Sequence, residues 1–146
     1  MRLSIEPYSG VGPIRFGMTR AQVRRALNLD VELIAKWSNA PPLDVFREPW
    51  VMVHYTAEDI CEAVELAAPS IPLLLGQELL GRPFDEMRAW FEKQDPGIKV
   101  DGSGLTSMKF GVGLYASGAL KTPHEPVEGV IAFRQGYYAE RLICPF

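Results

Sequence analysis

Gly12-Pro13-Ile14-Arg15-Phe16-Gly17-Met18-Thr19, running on through Val23, Ala26 and Leu27, is the stretch on which the fold turns. Sixty-four residues later Gly76, Gly81, Met87, Trp90 and Phe91 stand where Gly12, Gly17, Val23, Ala26 and Leu27 stand in the first copy. Each copy reads as a glycine-punctuated turn that launches an amphipathic helix. In the first, Thr19 caps the helix, Gln22 completes a capping box, and Met18 staples onto Val23 from outside the first turn. Arg20, Arg24 and Arg25 fall off the apolar face and read as solvated charge. In the second, Gly81 and Pro83 open the helix and Asp85 and Glu86 sit in its first turn, where the helix dipole favours acids. Asp95-Pro96-Gly97 stops it.

Working outward, Leu3 to Glu6 reads as a first strand ended by Pro7, Gly10, Gly12 and Pro13. Residues Asn28 to Asp44 fit no single element type. Val45 to Tyr55, interrupted by Pro49, and Ile60 to Ala67 form a hairpin about Thr56–Asp59; with Tyr55 facing Ile60, His54 would lie opposite Cys61, Val53 opposite Glu62 and Val51 opposite Val64. After a proline-rich join at Pro69 to Pro72, further strands are expected at Lys99–Val100, Thr106–Tyr115, Val127–Phe133 and Tyr137–Ile143, the last two about a Gln135-Gly136 turn. Gly111, Gly113 and Gly129 within these strands mark bulges or close backbone approaches. Ala116 to Pro126 is a long connection, either irregular or a binding element. The sum is an α+β fold, a single domain (1–146) of two pseudo-repeats at about 1–68 and 73–146. Each is a helix plus a β-hairpin, and the strands are expected to join one mainly antiparallel sheet with both helices on one face.

Composition bounds the function. The chain has 146 residues, 47% hydrophobic and 23% charged, enough for one well-buried core. Its net charge of -3 is spread evenly over the two halves and gives no basic face for nucleic acid. The longest apolar run, Ile71 to Leu75, is broken by Pro72 and is too short for a bilayer, and MRLSIEPYSG lacks a signal-peptide core. The expected location is cytoplasmic, with Cys61 and Cys144 as free thiols.

The motif Gly10-Val11-Gly12-Pro13-Ile14-Arg15-Phe16-Gly17-Met18-Thr19 followed by Val23 and Leu27 resembles the Gly-Met-Thr helix start of β-lactamase-inhibitor-like proteins and of small outer-membrane-assembly lipoproteins. It also resembles a large set of uncharacterised bacterial cytosolic proteins that pair this start with a second glycine-led helix. The resemblance covers residues 10–27 well and 76–91 loosely, since Arg82-Pro83 stands where Met-Thr would be. It implies a tandem α/β repeat that holds another protein and catalyses nothing. No lipobox or export signal accompanies it, so the exported roles of those relatives are not carried over.

For chemistry, a Cys61–His54 pair is the one constellation with the form of an activated nucleophile, which would make the chain an enzyme; no third orienting group can be named for it. The reading assigns no catalytic residue. Two histidines and two cysteines fall in no metal-ligand spacing, and Gly102-Ser103-Gly104 and Gly111-Val112-Gly113 lack the lysine and following helix of a phosphate loop, so neither metal nor cofactor is expected. Surface aromatics and acids remain. Trp50, Tyr137 and Tyr138, with Trp37 and Tyr115, exceed what a small core must hold, and Glu58, Asp59 and Glu62, with Glu65, form an acidic cluster suited to a basic partner. Lys121 and His124 on the long loop are further contact candidates. The leading expectation is a non-enzymatic protein-binding module, an immunity-type inhibitor of a cognate toxin whose partner is a basic toxin domain. The alternative is a small-ligand or peptide binder using the open sheet face and the 116–126 loop.

Overall fold

In a computed structural model, residues 1–35 and 39–138 are described. The chain runs β1 (Arg2–Glu6), β2 (Gly10–Val11), β3 (Ile14–Arg15), α1 (Arg20–Leu27), β4 (Glu32–Ile34), β5 (Leu43–Phe46), β6 (Val51–Tyr55), β7 (Cys61–Leu66), β8 (Ile71–Leu74), β9 (Gln77–Glu78), α2 (Phe84–Gln94), β10 (Lys99–Asp101), β11 (Gly104–Ser107), β12 (Val112–Tyr115) and β13 (Gly129–Phe133). The capping box of α1 is complete: Thr19 Oγ1 accepts from the Gln22 N–H at 3.2 Å, and the Gln22 side chain accepts from the Thr19 N–H at 2.9 Å. Asn28 ends α1 in left-handed conformation, its N–H returning to Arg24. α2 starts at Pro83 without a side-chain cap and keeps Asp85 and Glu86 in its first turn.

The strands do not form one sheet. They form an eight-stranded sheet in the order β10-β11-β12-β13-β7-β6-β5-β4 and a separate five-stranded sheet in the order β3-β2-β1-β8-β9. The larger one is antiparallel throughout, built from two four-stranded meanders that meet where β7 pairs with β13. In the smaller, β1 pairs with β8 in parallel, Leu3 against Pro72. The expectation of a single sheet fails because Ile71–Leu74 is a strand and not a linker. It gives β1 a partner from the other half of the chain, and both leave the meanders. Residues Thr106 to Tyr115, expected as one strand, are two, turned over at Gly111, whose φ of +67° suits glycine. Tyr137 and Tyr138 have helical backbone where a strand was expected; the rest of that expected strand, Trp37 and Cys144 lie outside the described residues.

Alternation along the strands decides which face is core. Val53, Val64, Ala132 and Val112 form one row across the sheet, and Val51, Leu66, Val130, Leu114 and Leu105 form the next, all buried. Val23 and Leu27 of α1, Phe84, Met87 and Phe91 of α2, and Leu3, Ile5, Val11 and Leu74 of the smaller sheet pack into the same core. A bulge between His54 and Tyr55 shifts the expected hairpin register. Tyr55 pairs with Cys61, His54 with Ala63, Val53 with Val64 and Val51 with Leu66.

Asp44, fully buried on β5, locks α1 to the sheet. It accepts hydrogen bonds from Arg20 at 2.8 Å, from Arg24 at 2.9 and 2.6 Å, and from the Tyr55 hydroxyl at 2.9 Å. Arg20 also lies over the Tyr55 ring, 4.0 Å from its centroid. Two of the three helix arginines are therefore spent on a buried carboxylate and are not a solvated stripe; Arg25 is exposed. Burial alone would raise the Asp44 carboxyl, but the Arg24 and Tyr55 hydrogen bonds and the Arg20 charge outweigh it and hold it below the usual carboxylate range.

Candidate functional site

The face of the eight-stranded sheet turned away from this core carries a groove of about 550 Å³. Register builds it. Met52, Glu65, Ile131, Gly113 and Thr106 are cross-strand neighbours in one row, and Gly129, Tyr115 and Gly104 are neighbours in the next. Its floor is cut low by Ala67, Gly113 and Gly129, and Trp50, Met52, Tyr115, Ile131, Tyr137 and Tyr138 wall it. Gly113 and Gly129 are not among the residues with positive φ, so no turn requires glycine there. Glycine within a strand costs about 0.5–1 kcal/mol relative to alanine. Gly129 leaves open space at the floor, and Gly113 makes room for the Ile131 side chain beside it. A Cβ on Gly129 would meet only ordinary contacts, Leu66 O at 3.7 Å and Tyr115 Cβ at 3.8 Å, whereas one on Gly113 would press to 3.0 Å from Ile131 Cγ2.

The aromatic wall is fixed from behind. Phe133 on β13 stacks with Tyr137 at 5.7 Å and takes Tyr138 edge-on at 4.8 Å and Tyr8 edge-on at 6.0 Å. Tyr8 fits because Gly111 has no side chain, since a Cβ there would lie 2.8 Å from the Tyr8 ring, and its hydroxyl donates to the Met108 carbonyl. At the other rim Trp50 follows Pro49 with φ +81°, a left-handed conformation that costs a bulky residue about 1–3 kcal/mol and that clusters at functional positions. The Trp50 N–H is held by the Phe46 carbonyl at 3.0 Å, and the Arg47 guanidinium lies 5.4 Å from its ring.

The polar groups of the groove are acceptor-rich. Asp101 sits at one end, its Oδ1 taking the Ser103 N–H at 2.8 Å and hydroxyl at 2.7 Å; the hydroxyl bond leads in holding its carboxyl low. His54 lines the wall with its side chain 9% exposed, and Nε2 stands 3.2 Å from Glu65 Oε1. The two groups are close without hydrogen-bond alignment, and neither ring nitrogen has a hydrogen-bond partner among the described residues. A buried imidazole left in this way costs about 1–3 kcal/mol.

The structure gathers some of the expected site residues and scatters others. Trp50, Tyr137 and Tyr138 come together in the groove, joined by Tyr115. Glu58, Asp59 and Glu62 do not form a free acidic patch. Glu58 is exposed at the hairpin tip, Asp59 pairs with Arg20 at 3.1 Å, and Glu62, its side chain 15% exposed, lies 3.5 Å from Arg134. Lys121 and His124 are exposed on the 116–128 connection, which is bonded to the start of α2 through Glu125 to Phe84 and Pro123 to Asp85; neither lines the groove. Cys61 faces the core opposite Tyr55 while His54 lines the outer groove, so the expected Cys61–His54 pair is not formed. Burial, with the Glu62 charge second, pushes the Cys61 thiol up to about 12. Met52, Asp101 and Ile131 were not read as contact residues, and Glu65 was read with the acidic hairpin cluster and not with the groove aromatics. The one signal for them was the mid-strand pair Gly113 and Gly129.

Among the described residues no group of His, Cys, Asp and Glu side chains is placed to hold a metal ion, and no helix is long and apolar enough to cross a membrane. Comparison with family models, curated proteins and solved structures returns no match.

Proposed function

We propose that this chain is a non-enzymatic binding module that receives a segment of a partner protein in the aromatic groove on the outer face of its eight-stranded sheet. The observation that carries the reading is the floor of the groove, where Gly129 leaves space that neither its backbone conformation nor a neighbouring side chain demands. Four aromatic side chains around a recess of this volume, within the ~300–1,000 Å³ of ordinary ligand sites, offer a large, rigid contact area at low entropic cost. An immunity-type inhibitor of a toxin domain is the role we favour for such a module, in keeping with the resemblance carried by residues 10–27. The surface differs from the acidic hairpin tip, because Asp59 and Glu62 already face arginines.

The test is a pair of substitutions. Gly129→Val, whose Cβ meets only ordinary contacts, fills the floor and should leave the melting temperature within a few degrees of the parent while reducing partner binding at least about tenfold, or 1.4 kcal/mol. Glu58→Lys at the tip should leave binding unchanged. Binding that survives Gly129→Val and is lost with Glu58→Lys would place the working surface on the hairpin instead.

A further inference from the structure

We infer that the open edge of the eight-stranded sheet at β4 pairs antiparallel with β4 of a second copy of this chain, about a two-fold axis at Leu33. Among the described residues β4 and β10 end the larger sheet, and β3 and β9 end the smaller one. An edge strand presents unpaired N–H and C=O groups, and charged side chains along it keep a second chain off. β10 carries exposed Lys99 and Asp101, β3 carries Arg15 beside Glu6, and β9 carries Glu78 beside Arg2. β4 is guarded differently. Leu33 at its centre is 58% exposed, and Val31 and Ala35, which share its side of the strand by alternation, are exposed as well.

Register makes this edge complementary to itself. Residues opposite each other in a sheet share a face, so a symmetric antiparallel pair must be centred on a single residue. Centring on Leu33 sets it against its own copy. It also sets Val31 of each chain against Ala35 of the other, a larger apolar side chain against a smaller one. On the other side of the strand Glu32 meets Ile34 of the copy. Its charge is already answered within its own chain by Arg47 at 2.6 Å, and no like charges stand directly opposed. The axis runs perpendicular to the sheet, so the two copies make one continuous antiparallel sheet whose grooves open on the same side. β6, with the groove residue Met52, is separated from this edge by β5, and the pairing leaves the groove uncovered. A paired chain therefore presents two grooves at once, and the pairing stands or falls independently of what they bind.

The experiment is sedimentation of the full chain across the micromolar range, since a short edge contact buries less than a standard interface. The expected result is a dimer at the top of that range. Leu33→Lys places a charge on a side chain that is already exposed; it should leave the melting temperature unchanged and weaken dimerisation about tenfold or more. Leu33→Cys in a Cys144→Ser background should form a disulfide-linked dimer under mild oxidation, because directly opposed Cβ atoms lie about 4.5–5.5 Å apart. Leu120→Cys in the same background, exposed on the 116–128 connection, should not. A parent chain that stays monomeric throughout overturns the pairing, and so does a dimer that survives Leu33→Lys. A dimer that Leu33→Cys fails to crosslink, or that Leu120→Cys crosslinks equally well, overturns the axis at Leu33.

Discussion

The Gly17 N–H donates to the Cys61 carbonyl over 3.0 Å, and the Cys61 N–H returns to the carbonyl of Met18 at 2.8 Å. The same two bonds recur in the second half, Gly81 to Val127 at 3.3 Å and Val127 to Arg82 at 2.9 Å, followed in each half by a bond from the first helical residue, Arg20 to Asp59 and Phe84 to Glu125. Each glycine-led helix start is thereby stitched to the segment entering β7 or β13, the two strands that meet in the middle of the large sheet. The helix starts set the inner face of that centre, and the groove occupies its outer face.

The capping box is the local lock on the first of these starts. Thr19→Ala removes the acceptor for the Gln22 N–H and should cost about 1 kcal/mol, read as a lower urea midpoint with unchanged slope. An unchanged midpoint would mean that the backbone bonds to Asp59 and Cys61 hold the start unaided.

Asp44→Asn leaves Arg20 and Arg24 facing a neutral amide. Breaking a fully buried ion pair costs about 3–5 kcal/mol, and because the Arg24 side chain is 35% exposed and stays hydrated the loss here should be about 2–4 kcal/mol. Thermal or urea unfolding measures it, and a loss below about 1 kcal/mol would show the cluster to be dispensable.

Acid should act through the same group. The Asp44 and Asp95 carboxyls are both held below the ordinary range; in Asp95 the Ser107 hydroxyl and the Gly97 N–H overcome the effect of burial. A carboxyl lowered by folding stabilises the fold fully above its unfolded value of about 3.9, and the contribution drains away as pH falls through the folded value. Urea midpoints should stay level from neutral pH down to about pH 5 and drop below about pH 4, with a shallower drop in Asp44→Asn. A variant whose acid slope equals the parent's would remove Asp44 from the account.

Cys61 should be chemically silent. With its thiol raised to about 12 by burial, the thiolate that reacts is scarce at pH 8. In a Cys144→Ser background, alkylation by iodoacetamide should run about 100-fold or more slower in the native protein than in urea. Comparable rates would mean that the thiol is reached without unfolding.

Local signals in the chain were legible and distant pairings were not. Thr19 with Gln22 marks the start of α1, Asp95-Pro96-Gly97 marks the end of α2, and both lie where the structure has them, because caps and breakers act within a turn. Ile71–Leu74 could not be assigned from its neighbours. Its partner Leu3 is far away in the chain, and a short apolar run that follows Pro69 and is broken by Pro72 reads equally as a linker. The hairpin register slipped by two steps: the turn closes between Thr56 and Ile60, which sets Cys61 beside Tyr55, and the bulge at His54/Tyr55 then moves the rest of the pairing by one more residue. In the groove, the aromatic content of Trp50, Tyr115, Tyr137 and Tyr138 was visible. That these residues share one face depends on the pairings β7 with β13 and β12 with β13, which no local pattern encodes. The acidic run from Glu58 to Glu65 is divided in the fold, where Asp59 lies beside Arg20 and Glu62 beside Arg134 while Glu58 stays exposed at the tip.

The most direct test of the groove as the working surface is site-specific photocrosslinking in the native host, with a benzophenone side chain in place of Tyr115 in one protein and of Lys121 in another. The account predicts a discrete crosslinked partner from position 115, lost when Gly129→Val is added, and none from position 121. A partner captured from position 121 and not from 115 would contradict it.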